Sequence, residues 1–346
     1  MVRNKVGFIG SGYMGFGMAK NLIKNFDVYV IAHKNRNPID KLINEGAKEV
    51  LSYEELLNEN LDCLMMCVTN TPIAVSIAEK IFPFIHNELL IIDLTTHDKT
   101  GTISMKNIFN SNKIKYTVNP VMGGPVQSEQ GILGGIWGGH SSHFEESKKY
   151  LDSFCKNVFN FGSVEKAAKA KLLSNFLSLL TTTTVIEFFR SANKLDIDIN
   201  LLCDVAKLGS GNSGALDRIS SKALQGDFKG YVFSVNNTLK DLTYISDLLE
   251  DSKNGKDLSK IAKSFYESAK ERGFGDLLVS ELIEKDYKNY MSKLIPIIYM
   301  VGVLLLVLPS FIKSNQNLKT FLTNLSIWVA ILLALFSFYY VFKILI

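Results

Sequence analysis

Three glycines set the first constraint. Gly10, Gly12 and Gly15 form G-x-G-x-x-G, directly after the apolar run KVGFI (5–9) and directly before the amphipathic stretch FGMAKNLIKNF. The pattern reads as strand, tight turn, helix. In such a turn the first glycine permits the bend, the second lets a pyrophosphate approach the backbone, and the third lets the helix pack closely on the strand. The helix start then offers free N–H groups and the positive end of its dipole to phosphate. Gly10, Ser11, Gly12, Tyr13, Met14 and Gly15 are therefore the candidate cradle for a dinucleotide. The alternative is a purely structural glycine turn.

The chain continues in alternation. Strands are expected at 28–32 (VYVIA), 61–68 and 89–94, with helices at 38–47 and 72–84 between them. Strands alternating with helices at this pace imply a parallel sheet covered on both faces. Shorter strands are expected at 115–118 and 157–161. From Glu165 to about Lys194 one long helical pattern runs, and further helices reach about Met291, with few strand signals among them. The expected fold is α/β: a Rossmann-like doubly wound sheet over 1–162, then an all-helical domain over 163–292.

A third segment, 293–346, differs in character. Residues 294–312 carry no charge, and 321–344 carry only Lys343, with the polar loop KSNQNLKT between them. At about 1.5 Å per residue the first run nearly spans a ~30 Å hydrocarbon core and the second is longer than it. Both are apolar on every face, and Pro296 and Pro309 sit near the ends of the first, where they disturb a helix least. The expectation is a transmembrane hairpin in contact with the lipid bilayer; the alternative is a pair of buried core helices. No signal peptide is evident at the N-terminus. Two spans return the chain to its starting side, so the first two domains are expected in the cytoplasm, anchored to a membrane.

The formal charge of +4 is small for 346 residues and no Lys/Arg block stands out, which argues against nucleic acid as a partner. Cys63, Cys67, Cys155 and Cys203 form no C-x-x-C pair and read as buried, reduced thiols. His33, His86, His97, His140 and His143 show no zinc-like spacing, and no metal is expected.

The end of the second strand selects between cofactors. An NAD site usually places Asp or Glu there for the ribose 2′-hydroxyl. Here His33, Lys34, Asn35 and Arg36 follow Ala32, with no acid before Asp40. Cationic donors suit a 2′-phosphate. NADP is favoured and NAD stays open; the alternative is a solvated basic turn.

At this point the ordered motifs resemble a family. GFIGSGYMGFGMAKNL resembles the opening of the β-hydroxyacid dehydrogenases, the family of 3-hydroxyisobutyrate dehydrogenase and tartronate semialdehyde reductase. IIDLTT resembles that family's D-x-S-T strand end, and NPVMGGPVQSEQGILGGIWGG its A-P-V-S-G-G segment. KAKLLSNFLS resembles the K-x-x-N-N helix, LKDL at 239–242 the K-D-L element, and ERGFGD at 271–276 the G-x-G-D turn. The resemblance spans about 1–290.

It implies an NAD(P)-dependent oxidoreductase acting on a small β-hydroxyacid or semialdehyde. Lys171 matches the general acid/base, and Asn175, four residues on and on the same helix face, matches a group that holds substrate or orients the lysine. Met122, Gly123 and Gly124 match the serine and two glycines that grip the substrate carboxylate. Methionine replaces the serine, which opens the site to larger or less polar substrates. Asn70, Thr71, Thr96 and Lys240 match cofactor-binding positions, and Asp241 a residue that orients its surroundings. A homodimer through the helical domain is also implied. The competing expectation is a membrane-tethered NADP-binding sensor or scaffold with little turnover, which Met122 keeps open and Lys171 with Asn175 opposes.

Overall fold

The computed structural model describes residues 3–33, 35–85, 88–110, 114–285 and, further on, Leu322, Thr323 and Ser326. The chain divides into two compact units, Met1–Ile283 and Glu284–Ile346. The first contains both the sheet and the helices that follow it. Apart from Leu322, Thr323 and Ser326, the expected hairpin at 293–346 lies outside the described residues, as do the domain boundary expected at 292, Lys34 and His86.

The first half alternates β1 (Lys5–Ile9), α1 (Tyr13–Ile23), β2 (Asp27–Ile31), α2 (Asn37–Asn44), β3 (Lys48–Val50), α3 (Tyr53–Asn58), β4 (Cys63–Met66), α4 (Thr71–Ile81), β5 (Leu90–Asp93), α5 (Lys99–Asn110) and β6 (Lys115–Val118). These strands make one six-stranded parallel sheet in the order β3-β2-β1-β4-β5-β6. Every residue of β4 and β5 is buried, as a strand covered on both faces requires. Two apolar layers flank the sheet, one around Phe8, Met18, Leu22 and Trp137, the other around Leu64, Met66, Ile91 and Phe109. The strand order reverses between β1 and β4, and the crevice at their carboxyl ends is where such sheets bind ligands.

A smaller three-stranded sheet follows: β7 (Val121–Met122), α6 (Pro125–Gln130), β8 (Leu133–Trp137), α7 (Phe144–Leu151) and β9 (Cys155–Asn160). Sequence patterning did not reveal β7 and β8. The first is two residues long, and the second, LGGIW, carries glycines that read as loop. Gly135 is there for space: a Cβ would stand 2.8 Å from the Asn119 amide oxygen.

The second half is helical: α8 (Val164–Lys194), α9 (Ile199–Leu208), α10 (Gly214–Ala223), α11 (Val235–Leu248) and α12 (Lys253–Glu271). α8 starts where Ser163 Oγ accepts the Lys166 N–H and contains neither glycine nor proline. Thr181, Thr182, Thr183 and Thr184 each return their hydroxyl to the carbonyl four residues back, which satisfies four polar groups within the helix itself. Among the described residues α8 is the one helix long and apolar enough to cross a membrane. Its buried stripe, Leu172, Leu179, Val185, Ile186 and Phe189, instead forms the core of the helical half, packed with α10, α11 and α12.

Candidate active site

The three glycines of the first turn stand in three different environments. Gly10 has φ +101°, and a Cβ there would meet the Cys67 carbonyl oxygen at 2.1 Å. A Cβ on Gly15 would meet the Gly10 carbonyl at 2.0 Å, so α1 can lie this close to β1 only with glycine. Gly12 faces open space, with nothing within 4 Å of a Cβ position. It is the N-cap of α1 and supplies no side-chain cap, leaving the first helical N–H groups of Tyr13 and Met14 free for an anion. Ser11 Oγ is covered yet has no hydrogen-bond partner among the described residues. An open glycine, uncapped amides and an orphaned hydroxyl at one helix start are a donor set suited to a pyrophosphate.

At the end of β2 the picture is more acidic than the sequence suggests. The Arg36 guanidinium donates to Glu49 Oε2 at 2.7 Å and to Asp40 Oδ1 at 2.8 Å. Glu49 lies on β3, thirteen residues away in sequence, beside Val30 in the parallel pairing. These carboxylates hold the Arg36 charge, pushing its pKa up. His33 and Asn35 are exposed, and Asn35 Oδ1 accepts the Asn37 N–H.

The strands next to the crevice end in two turns. Asn70 Oδ1 caps α4 by accepting the Ile73 N–H at 3.0 Å, and Thr71, buried, begins that helix. Thr96 stands half-buried beyond β5.

The remaining expected residues converge on α8. The Lys171 ammonium donates to the Val121 carbonyl at 2.8 Å, to Asn175 Oδ1 at 3.0 Å and to Met122 Sδ at 3.3 Å. Its three protons thus meet three acceptors. Asn175 Nδ2 donates in turn to Asp241 Oδ2 at 2.7 Å, and Asp241 pairs with Lys240 at 2.8 Å. Lys171 and Asn175 are 8% exposed and Asp241 2%. Burial pushes the Lys171 pKa down to about 8; the Asp241 carboxylate opposes that shift, the Lys240 charge adds to it, and Cys67 weakly opposes it. The Cys67 carbonyl is the atom that crowds Gly10.

Gly123 takes φ +129°. The Gly124 N–H, which the sequence leaves free for a substrate carboxylate, donates to Gln127 Oε1 at 2.9 Å. Val121 and Glu49 carried no sequence signal for these contacts, because a backbone carbonyl and a cross-strand neighbour are set by tertiary register, whereas the Gln127 cap is local, three residues from Gly124.

Residues 5–162 match the NAD binding domain of 6-phosphogluconate dehydrogenase, and residues 166–285 match the NAD-binding domain of NADP-dependent 3-hydroxyisobutyrate dehydrogenase. The chain belongs to the β-hydroxyacid dehydrogenase family. Glyoxylate/succinic semialdehyde reductase 2 of Arabidopsis thaliana is 25% identical over 281 residues, covering 81% of this chain and 78% of that protein. The mitochondrial 3-hydroxyisobutyrate dehydrogenase of Drosophila melanogaster is 24% identical over 291 residues, covering 81% and 90%. The fold matches the crystal structure of 3-hydroxyisobutyrate dehydrogenase from Salmonella typhimurium with a TM-score of 0.74 at 21% identity, over 81% of this chain and 99% of that one. In this β-hydroxyacid dehydrogenase, the NAD(P)-binding domain carries the glycine turn and α8 carries Lys171 and Asn175. Among the described residues no group of three or more His, Cys, Asp or Glu side chains could hold a metal ion.

Proposed function

We propose that the protein interconverts a small hydroxyacid and its carbonyl form, a semialdehyde or keto compound, using NADP, with Lys171 as general acid/base. One observation carries the reading: a buried lysine, its pKa lowered to about 8, bonded to Asn175 on the same helix face and to the Val121 carbonyl. A group with that pKa is present in both protonation states near neutral pH. The bound nicotinamide would give or take the hydride. The ammonium of Lys171 gives its proton to the carbonyl oxygen as negative charge develops there; in the reverse direction the neutral amine removes it.

Of the three acceptors around Nζ, the Met122 thioether is the weakest. The substrate oxygen takes its place, while the Val121 carbonyl and Asn175 keep the nitrogen aimed. Asp241 orients Asn175 and offsets part of the burial cost on the lysine charge. For the cofactor, the uncapped start of α1 at Gly12 to Met14 and the Ser11 hydroxyl would hold the pyrophosphate. Asn70, Thr71, Thr96 and Lys240 would line its nicotinamide half. NADP is preferred because no carboxylate on the 33–36 turn itself reaches for the 2′ position. Arg36 must loosen its hold on Glu49 and Asp40 to meet a 2′-phosphate.

In this reading the catalytic body works in the cytoplasm, tethered to the bilayer by the apolar runs at 294–312 and 321–344. It pairs with a second copy through the helical half, where Leu177 on α8 and Leu201, Val205 and Leu208 on α9 are exposed. A second reading, a tethered NADP-binding sensor with little turnover, draws on Met122, whose sulfur fills the third donor position of Lys171.

The test is NADPH absorbance with the purified full-length protein, over a panel of hydroxyacids and semialdehydes. Turnover that Lys171→Ala lowers by about two to four orders of magnitude, with cofactor still bound, is the expected result. Cofactor binding with no turnover on any member would favour the sensor.

A further inference from the structure

A second buried polar chain lies behind the cofactor crevice, and the proposed chemistry does not use it. Asp93, the last residue of β5, is fully buried. Its Oδ1 accepts the Thr95 N–H at 2.9 Å. Its Oδ2 accepts from the Tyr116 hydroxyl at 3.1 Å and from His97 Nε2 at 2.8 Å. A carboxylate can only accept, so Nε2 carries an imidazole proton toward it. Nδ1 lies 3.1 Å from Thr71 Oγ1, the hydroxyl of the first residue of α4. His97 is 4% exposed, so the imidazole works inside the protein.

The chain joins two turns that the backbone connects only at their roots. Beyond β4 the chain turns through 67–70 into α4; beyond β5 it turns through 94–98 into α5. The Leu94 N–H donates to the Met66 carbonyl at 2.8 Å, and the Val68 N–H to Thr95 Oγ1 at 3.2 Å. Further out, His97 makes the link. The approach is tight: a Cβ on Gly101 in α5 would meet Thr71 Cγ2 at 2.1 Å, and the Gly101 N–H caps onto Asp98 Oδ1 at 2.6 Å. Asn70 and Thr96 ride on these two turns, and Thr71, itself a cofactor candidate, follows the first of them.

We propose that His97 is a positioning residue, fastened by Asp93, that locks the turns 67–70 and 94–98 to each other and so fixes the floor on which the dinucleotide lies. The proposal rests on the assignment of this crevice to NAD(P). A bridge needs both ring nitrogens at once. Glutamine at 97 keeps a donor near the Nε2 position for Asp93 but cannot also meet Thr71; asparagine has the reverse limitation. Removing the Thr71 hydroxyl cuts the same link from the other end, together with the longer contact it makes with Asp98 Oδ1 at 3.4 Å.

The experiment is direct NADPH and NADH binding, read by nicotinamide fluorescence, to the full-length protein in detergent, together with KM and kcat. The variants are His97→Gln, His97→Asn, Thr71→Val and the double variant His97→Gln/Thr71→Val. Each single change is expected to weaken binding about tenfold, with the loss falling on the cofactor KM far more than on kcat. The double variant is expected to lose no more than either single one, because both cut one link. Thr71→Val is close to isosteric and sits at the helix start, so it keeps the test open where a variant at His97 does not fold. Folded variants with unchanged affinity, or fully additive losses, would overturn the bridge while leaving the crevice assignment intact. An unmodified protein that binds neither nucleotide would overturn both.

Discussion

Lys171 Nζ lies 3.3 Å from Met122 Sδ, a contact that puts a thioether where a catalytic ammonium would hand its proton to substrate. Sulfur accepts a hydrogen bond weakly and lends the pocket wall an apolar, polarisable surface. The neighbouring Gly124 amide is taken by Gln127. Two groups that could grip a carboxylate in this segment are therefore replaced or engaged.

The first prediction is that Met122→Ser moves the substrate profile toward small hydroxyacids such as 3-hydroxyisobutyrate. A hydroxyl at 122 supplies a donor to a carboxylate, worth about 1–2 kcal/mol, or roughly tenfold in kcat/KM. A panel assay on both proteins measures it, and an unchanged profile would mean that position 122 does not touch substrate.

A second prediction concerns stability. The Lys171 pKa is about 8 in the folded chain against 10.5 for an ordinary lysine. Between those values the unfolded chain binds a proton that the folded chain does not, so stability rises with pH across the window, by about 3 kcal/mol in all. Lys171→Met removes this contribution. The melting temperature of the wild type relative to the variant should climb from pH 8 to pH 10.5, and parallel curves would show that the lysine is not held under this penalty.

Much of the site was legible because local chemistry fixed it. Gly10 and Gly15 had to be glycine for a turn that crowds Cys67 and its own carbonyl, and a spacing of four puts Lys171 and Asn175 on one helix face. What stayed hidden depends on which strands become neighbours. The basic turn at 33–36 looked free of acids because Glu49 reaches Arg36 only after β3 pairs with β2. His97 was one of five histidines without zinc-like spacing, and its partners Asp93, Thr71 and Tyr116 come together only once β4, β5 and β6 lie side by side. Gly17 gave no signal either; a Cβ there would meet the Glu129 amide at 2.5 Å, because α1 packs on a six-residue polar helix that periodicity does not reveal.

The Arg36 contacts yield the third prediction. The protein is expected to prefer NADPH, and Glu49→Gln should strengthen the preference about threefold or more by releasing the guanidinium for a 2′-phosphate. Arg36→Ala should erase most of it. Measured KM values for both cofactors decide the point; equal affinities in the unmodified protein would remove the turn from cofactor selection.

The fourth prediction concerns the C-terminal runs. Full-length protein should stay in the membrane pellet after alkaline carbonate extraction, while a fragment ending at Lys285 should be soluble and active. The first run is uncharged and the second carries only Lys343, and both are long enough to approach or exceed the hydrocarbon thickness. Release of full-length protein by carbonate would make these segments part of a globular body or of a subunit contact.

The last prediction follows from the charges that face Lys171. Burial lowers its pKa, the Asp241 carboxylate raises it, the Lys240 ammonium lowers it, and Cys67 raises it slightly. Asp241→Asn keeps an oxygen to accept from Asn175 Nδ2, so the geometry around Asn175 survives. It removes the carboxylate that supports the lysine charge among the described residues and takes away the charge that Lys240 pairs with. Both changes push the same way, and the Lys171 pKa falls below about 8. Carbonyl reduction needs the ammonium, so its rate falls as pH rises through this pKa; in the variant the fall comes at lower pH. Alcohol oxidation needs the neutral amine, so its rate rises through the same pKa, and in the variant the rise also comes earlier. The kcat/KM profiles of the two directions should therefore shift together toward acid. A structural defect would scale both profiles down without moving them, and unmoved midpoints would separate Asp241 from the proton transfer.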